Sequence, residues 1–168
     1  MNRRSMSIDV RAFRQTVGQF VTGVTIITAE VDGTVRGMTA NSFTSLSLEP
    51  PLVLFCVGKA TTMGQLIHAA ERFSVNILQR NQQQLSTYFA GSWKESSPPE
   101  FSLQSWEGGS RLNGCVAAIG CAVEAIYEGG DHWIVIGRVL ALHASDEACA
   151  PLAFCRGRYA TLEDSGLT

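Results

Sequence analysis

The patterns that hold metals or disulfides are missing from this sequence. Its five cysteines, Cys56, Cys115, Cys121, Cys149 and Cys155, are odd in number, stand in apolar surroundings and form no CxxC pair. Buried free thiols are therefore expected, not disulfides or a zinc centre. The three histidines, at 68, 132 and 143, are too scattered to form a ligand set. Positive charge is also scarce: 13 Lys and Arg against 15 Asp and Glu leave a formal charge of -2, and no basic cluster exists beyond Arg3-Arg4. That argues against nucleic acid, whose counterions are displaced only by a concentrated basic face. Long hydrophobic runs are absent as well, the longest falling far short of the ~20 residues that cross a bilayer, and MNRRSMSIDV has no apolar signal-peptide core. A cytoplasmic protein without membrane attachment is the expectation. Nor is there a GxGxxG after the first strand, a GxxxxGK[ST], a GxSxG or an HExxH, so Rossmann, P-loop, α/β-hydrolase and zincin chemistry each lose their signature. A reactive centre borrowed from a bound molecule becomes attractive.

What is present begins with length. The 168 residues, 45% of them hydrophobic, suffice for one sizeable core and are too few for two comfortable domains. A single domain, 1–168 with its core over about 12–162, is expected. Asp9 caps a first helix in which Phe13, Val17, Phe20 and Val21 recur at helical spacing, with Gly23 as its end. VTIITAE then turns to β-branched residues, and Val31-Asp32-Gly33-Thr34 reads as a hairpin turn, because Asp-Gly supplies the positive φ angles such turns need. Later strands are expected at Leu52 to Val57, Phe73 to Leu78, Cys115 to Tyr127, His132 to His143 and Pro151 to Leu162, with helices at Thr62 to Ala70 and Gln82 to Ala90. The stretch 91–109 lacks periodicity and reads as a long surface loop suited to a lid or a partner contact. Six or seven strands with two or three helices make a mainly β protein with peripheral α, an antiparallel barrel.

Four places could carry chemistry. Gly37 to Pro51, GMTANSFTSLSLEPP, packs five hydroxyl residues and one amide into a strand-like segment with no Asp, His or Lys. It reads either as a polar edge strand or as a wall of hydrogen-bonding groups for an aromatic, phosphate-bearing ligand, and the preceding hairpin places it inside a sheet. Gly58-Lys59-Ala60-Thr61-Thr62 follows the apolar strand and opens a helix. It offers an anion cradle, or an ordinary threonine cap with an exposed lysine. Gly130-Asp131-His132 puts an imidazole at the start of a strand after a glycine turn, facing a cleft or simply solvent. Arg158 and Tyr159 pair a cation with an aromatic plate able to clamp a nucleotide, unless Tyr159 is core.

Together with TGVTIITA (22–29), GMTANSFTSLSLEPPLVLFCV (37–57), RFSVNIL (72–78), the Phe-Ala-Gly after Tyr88, GDHWIVIGRV (130–139) and PLAFCRGRY (151–159), these parts resemble the short-chain flavin reductases. These are the reductase components of two-component flavin-dependent monooxygenases. The likeness runs from about Ala12 to Leu162. SSPPEF (96–101) resembles the styrene and indole monooxygenase reductase branch, and the 4-hydroxyphenylacetate monooxygenase reductases are similar too. The resemblance implies an FMN-binding split β-barrel of Greek-key-like topology. It implies an NAD(P)H:flavin oxidoreductase that passes hydride from NADH or NADPH to FAD or FMN, with NADH and FAD favoured, and releases reduced flavin to a partner monooxygenase. It also implies a homodimer with the flavin site near the interface, which would account for strands apolar on both faces.

On this chain the resemblance places Thr39, Ala40, Asn41 and Ser42 along the isoalloxazine edge, Ser45 and Leu46 along the ribityl chain and phosphates, and Cys56 and Val57 beside the flavin. Lys59, Thr61 and Thr62 would meet the phosphate, with Ala60 standing where a hydroxyl residue is expected. Phe89 and Ala90 would flank the site, His132 beside Asp131 would position the nicotinamide, and Arg158 with Tyr159 would close the pocket. Hydride transfer then needs stacking at about 3–3.5 Å and no protein nucleophile or metal. Two other readings remain: a split-barrel FMN oxidase or cobalamin-related reductase that keeps its flavin, and a non-catalytic flavin- or haem-binding module. The GDH and RGRY elements favour the reductase, since a mere binder has no use for a nicotinamide site.

Overall fold

The expected hairpin turn is present at Asp32-Gly33, whose φ angles are 51° and 71° in a computed structural model describing residues 8–145 and 149–162. Both central residues are in the left-handed region, as a type I′ turn requires. Arg3-Arg4 lies outside the described residues. Asp9 does cap the first helix, α1 (Val10–Val17), accepting from the Arg11 amide, but the helix stops at Gly18 and not at Gly23. Thr22 and Gly23 instead form a short strand, β1 (Thr22–Gly23), paired with Phe154 and Ala153.

The main body is a seven-stranded antiparallel sheet. Its strands are β2 (Thr25–Val31), β3 (Thr34–Ala40), β4 (Thr44–Leu48), β5 (Pro51–Gly58), β6 (Arg72–Ile77), β9 (Ala117–Gly129) and β10 (His132–Ala144), in the order β3-β2-β6-β9-β10-β5-β4. A hairpin, β7 (Leu103–Trp106) and β8 (Gly109–Leu112), and a second, β11 (Ala153–Cys155) and β12 (Arg158–Ala160), complete the strands. Helix α2 (Thr62–Leu66) follows β5, and α3 (Gln83–Phe89) follows a single 3-10 turn at Arg80–Gln82.

The two ends of the sheet are β3 and β4, which are consecutive in sequence and joined by only Asn41–Phe43. Three residues cannot span an open seven-stranded sheet, at about 4.8 Å per strand, so the sheet is rolled and its edges meet: a split barrel. The hydroxyl-rich segment is thus two edge strands and the crossover between them, not one strand internal to the sheet.

Burial explains the apolar runs. Ile27, Val53, Phe55, Val57, Phe73, Val75, Cys121 and Val135 fill the barrel, and Met63 of α2 and Ile67 just after it pack against them. Val24, Ile26, Leu78, Leu85, Leu112 and Leu152 form a second cluster outside it, against α3 and the hairpins. Ile26 and Ile27 therefore lie on opposite faces of β2 and are both fully buried, which is why that strand shows no alternation. β5 does alternate: Val53, Phe55 and Val57 point inward, while Leu54 and Cys56 are half-buried on the other face.

Two more expectations change. The stretch 91–109 is not wholly loop, since it runs into β7, and the β7–β8 turn is docked on β9 so tightly that a Cβ on Gly120 would sit 2.6 Å from the Gly108 Cα. Ser74 Oγ donates to the Gly108 carbonyl, the Trp106 indole donates to Ser74, and the buried Asn76 links β8 to β2. The expected final strand is broken at Arg156-Gly157, both at positive φ, into β11 and β12. The helix after β5 is also shorter than expected, ending at Leu66.

Candidate active site

The barrel seam is closed by one side chain. Beyond Leu54, the last β5 residue that β4's Thr44 pairs, Cys56 pairs with Ile134 of β10 on one edge but has no strand on the other, and the Ser42 hydroxyl takes that place. It accepts from the Cys56 amide and donates to the Cys56 carbonyl, both at 3.0 Å. The Ser42 hydroxyl is thus committed to the backbone of β5 and is not free for a ligand. On one side of this bridge lies a corner built from two turns, and on the other a small apolar cavity.

The corner joins the ends of β5 and β10. His132 pairs with Gly58 in the ladder, and the Lys59 amide donates to the Asp131 carbonyl at 3.0 Å. A Cβ on Gly58 would stand 3.8 Å from His132 Nε2, so the imidazole leans over the bare glycine. His132 Nδ1 is 2.7 Å from Asp131 Oδ1, and this contact, followed by the charge of His132, holds the Asp131 carboxyl below the usual carboxylate range. Thr61 caps α2: its hydroxyl accepts from the Gly64 amide and contacts the Gly58 carbonyl, so it is not free for a ligand. The amides of Ala60, Thr62 and Met63 have no partner among the described residues. Gly64 has no room for a side chain, since a Cβ there would come within 2.1 Å of the Gly58 carbonyl oxygen, and this close approach fixes α2 on the corner.

Lys59 is the cation of the corner, and two residues that sequence reasoning passed over hold it. Its Nζ donates to Glu128 Oε1 at 2.7 Å and sits 4.4 Å over the Trp133 ring. Glu128 faces Trp133 across the β9–β10 hairpin. The two-residue turn at Gly130-Asp131 was a sufficient signal for that pairing.

Beyond Ser42, a cavity of about 190 Å³ is lined by Val24, Thr39, Asn41, Ser86, Ala90, Phe154 and Tyr159. Thr39 donates to the Ser86 carbonyl at 2.7 Å, and Tyr159 donates to Ser86 Oγ at 2.9 Å. Ser86, itself buried, is therefore the anchor of this wall and has no distinguishing mark in the sequence. A second cavity of about 420 Å³ shares Asn41 and is lined by Phe20, Thr22, Phe43 and Thr44 among others. Another cavity, about 820 Å³ and bordered by Gln79, Asn81, Gln82 and Gln84, contains none of the expected residues.

The remaining expected positions divide. Phe89 lies across Gly37, where a Cβ would be 2.4 Å from the ring, and stacks edge-on with Tyr88 and Phe101 at 5.1 Å each. Ser45 and Leu46 are exposed on the edge strand β4, at an irregularity in its pairing. Ala40 and Val57 are buried, so only their backbones can reach a ligand. Arg158 and Tyr159 are consecutive strand residues and point to opposite faces, Arg158 being exposed; they do not make a clamp side by side. The segment after Ala90 is folded back onto α3 by its aromatic rings, with Trp93 donating to the Ser97 carbonyl at 2.8 Å.

Known proteins resemble this chain in sequence and in fold. The flavin reductase like domain matches residues 17–163. The reductase subunit HsaB of a flavin-dependent monooxygenase from Rhodococcus jostii (strain RHA1) is 42% identical over 161 residues, 94% of this chain and 80% of its own length. An NADH-dependent FAD reductase from Streptomyces globisporus is 43% identical over 133 residues, covering 76% of this chain and 72% of its own. Among solved structures, the flavin reductase PheA2 superposes with a TM-score of 0.87 at 38% identity, over 93% of this chain and 99% of its own. The NADH:FAD oxidoreductase SgcE6 of Streptomyces globisporus, in complex with NAD and FAD fragments, superposes at 0.84 with 36% identity, over 96% and 99%. The chain belongs to the flavin reductase-like domain family.

Proposed function

We propose that this single-domain protein is a cytoplasmic NADH:flavin oxidoreductase that takes FAD or FMN as a dissociable acceptor and passes the reduced flavin to a partner monooxygenase. The observation that carries this reading is the seam: Ser42 on Cys56 joins the Thr39–Asn41 wall to the Lys59–His132 corner in one line of donors. The donor set suits a flavin. Three open amides, the Thr62 hydroxyl and the Lys59 ammonium suit its phosphate, and the backbone of Thr39 to Ser42 suits the polar edge of its ring. When bound, the flavin supplies the hydride acceptor.

The chain's own residues bind and orient. Asp131 fixes the His132 ring by its Nδ1 and leaves Nε2 turned over Gly58, a surface on which a nicotinamide can be positioned. Tyr159, held by Ser86, walls the far cavity against water. Thr39 to Ser42 include no acid or base, in keeping with a step that moves a hydride and needs no proton at a protein atom.

The cavity between Thr39 and Tyr159, about 190 Å³, is small for a whole flavin beside the roughly 300–1,000 Å³ typical of ligand sites, and several large apolar residues are bare. Phe20 is 76% exposed and Leu48 93%, no residue of α1 is buried, and Leu142 on β10 is 75% exposed. A second copy of the chain covering these residues and completing the groove accounts for both facts.

Following the near-ultraviolet absorbance of NADH with and without added FAD or FMN, alongside a spectrum of the purified protein, tests the reading. Colourless protein that consumes NADH only with free flavin is expected. Yellow protein that consumes none with either flavin would point to a flavin-retaining oxidase or a binding module.

A further inference from the structure

Lys59 is not a free cation awaiting an anion. Its ammonium is 2.7 Å from the Glu128 carboxylate on one side and 4.4 Å from the Trp133 ring centroid on the other, and its backbone amide is tied to Asp131. The lysine side chain is about a third exposed and Glu128 three-quarters exposed, so the carboxylate can swing away into water while the aromatic ring keeps the ammonium in place. Any phosphate that reaches Lys59 must displace this carboxylate or bind in its field.

We propose that Glu128 is a built-in competitor for the flavin phosphate, a positioning residue whose exchange with phosphate on Lys59 keeps the flavin weakly held and lets it leave once reduced. This rests on the phosphate site proposed above. Glu128 sits directly on this cation, and the Asp131 carboxylate, paired with His132, lies within reach of its charge, whereas a site built for permanent retention would concentrate positive charge. The Glu128 carboxyl is held below its usual range by the Lys59 hydrogen bond, so it stays ionised and competes throughout the neutral range. An exposed ion pair of this kind is worth a factor of about 2–5 in an equilibrium.

The test measures dissociation constants of FMN and of riboflavin, which lacks the phosphate, for the full chain and for Glu128→Gln, Lys59→Met and the double variant. Circular dichroism checks that each is folded. Glu128→Gln is expected to tighten FMN about 2–5-fold and slow its dissociation while leaving riboflavin unchanged, and to have no effect when Lys59 is already Met. Unchanged or weaker FMN binding by Glu128→Gln, or equal tightening of riboflavin, overturns the competition even if Lys59→Met weakens FMN selectively. If Lys59→Met leaves the FMN-to-riboflavin ratio unaltered, the phosphate site itself is misplaced and the proposal falls with it.

Discussion

Ser42→Ala is the most informative perturbation of the seam. The substitution removes one bond accepted from the Cys56 amide and one donated to its carbonyl, both at 3.0 Å. Each such bond contributes about 0.5–1.5 kcal/mol net, and both Ser42 and Cys56 are half-buried, so water can replace part of the loss. A destabilisation of about 1–2 kcal/mol follows, which at ~2–4 °C per kcal/mol for a chain of this size lowers Tm by about 2–8 °C. Because the bridge also aligns the Thr39–Asn41 wall with the Lys59 corner, flavin affinity should fall several-fold in the same variant. Thermal unfolding without flavin, followed by flavin titration below the transition, separates the two effects. Ser45→Ala is the control: its exposed hydroxyl on β4 has no partner among the described residues, and the change should stay within about 0.5 kcal/mol. A Tm for Ser42→Ala within 1 °C or so of the parent and of Ser45→Ala would refute the role given to the bridge.

Three further outcomes are expected. His132→Ala should raise KM for NADH while leaving flavin affinity largely intact, in steady-state kinetics paired with flavin titration; equal loss of flavin binding would show that the ring serves the flavin instead. Burial pushes the Cys121 thiol from 9.0 up to about 12, so the folded chain holds that proton more tightly than the unfolded one. Its contribution to stability is complete below the ordinary thiol pKa and is lost as pH rises towards about 12, and Cys121→Ala should flatten the alkaline fall in Tm. Analytical ultracentrifugation should give twice the chain mass, and Phe20→Asp combined with Leu48→Asp should shift it towards the monomer without loss of β-structure in circular dichroism.

The sequence made legible whatever depends on local geometry. Asp32-Gly33 requires positive φ and obtains it, Asp9 caps α1, and the apolar runs of β2, β5 and β6 are core. The fold family and the residues of the two turns were readable because they are contiguous motifs. What stayed hidden is tertiary. Nothing in TANSFTS announces that the chain passes from one edge of a rolled sheet to the other at Asn41–Phe43, because edge and interior strands share the same alternation. Likewise the β7–β8 hairpin depends on a contact between Gly108 and Gly120 and on buried Asn76, which brings Ile26 and Leu112 together from far apart in the chain. Arg158 and Tyr159 looked like one clamp because adjacency was read without the strand alternation that separates them.

The central claim is that this chain moves hydride from a nicotinamide to a flavin it does not keep. The direct measurement is anaerobic: a catalytic amount of protein is mixed with NADH and excess FAD or FMN, flavin bleaching is followed, and the mixture is passed through a membrane that retains protein. The account predicts many turnovers of bleached flavin per protein, with the reduced flavin in the filtrate. Folded protein that leaves the free flavin oxidised, or bleaches no more than one equivalent and retains it, would contradict the account.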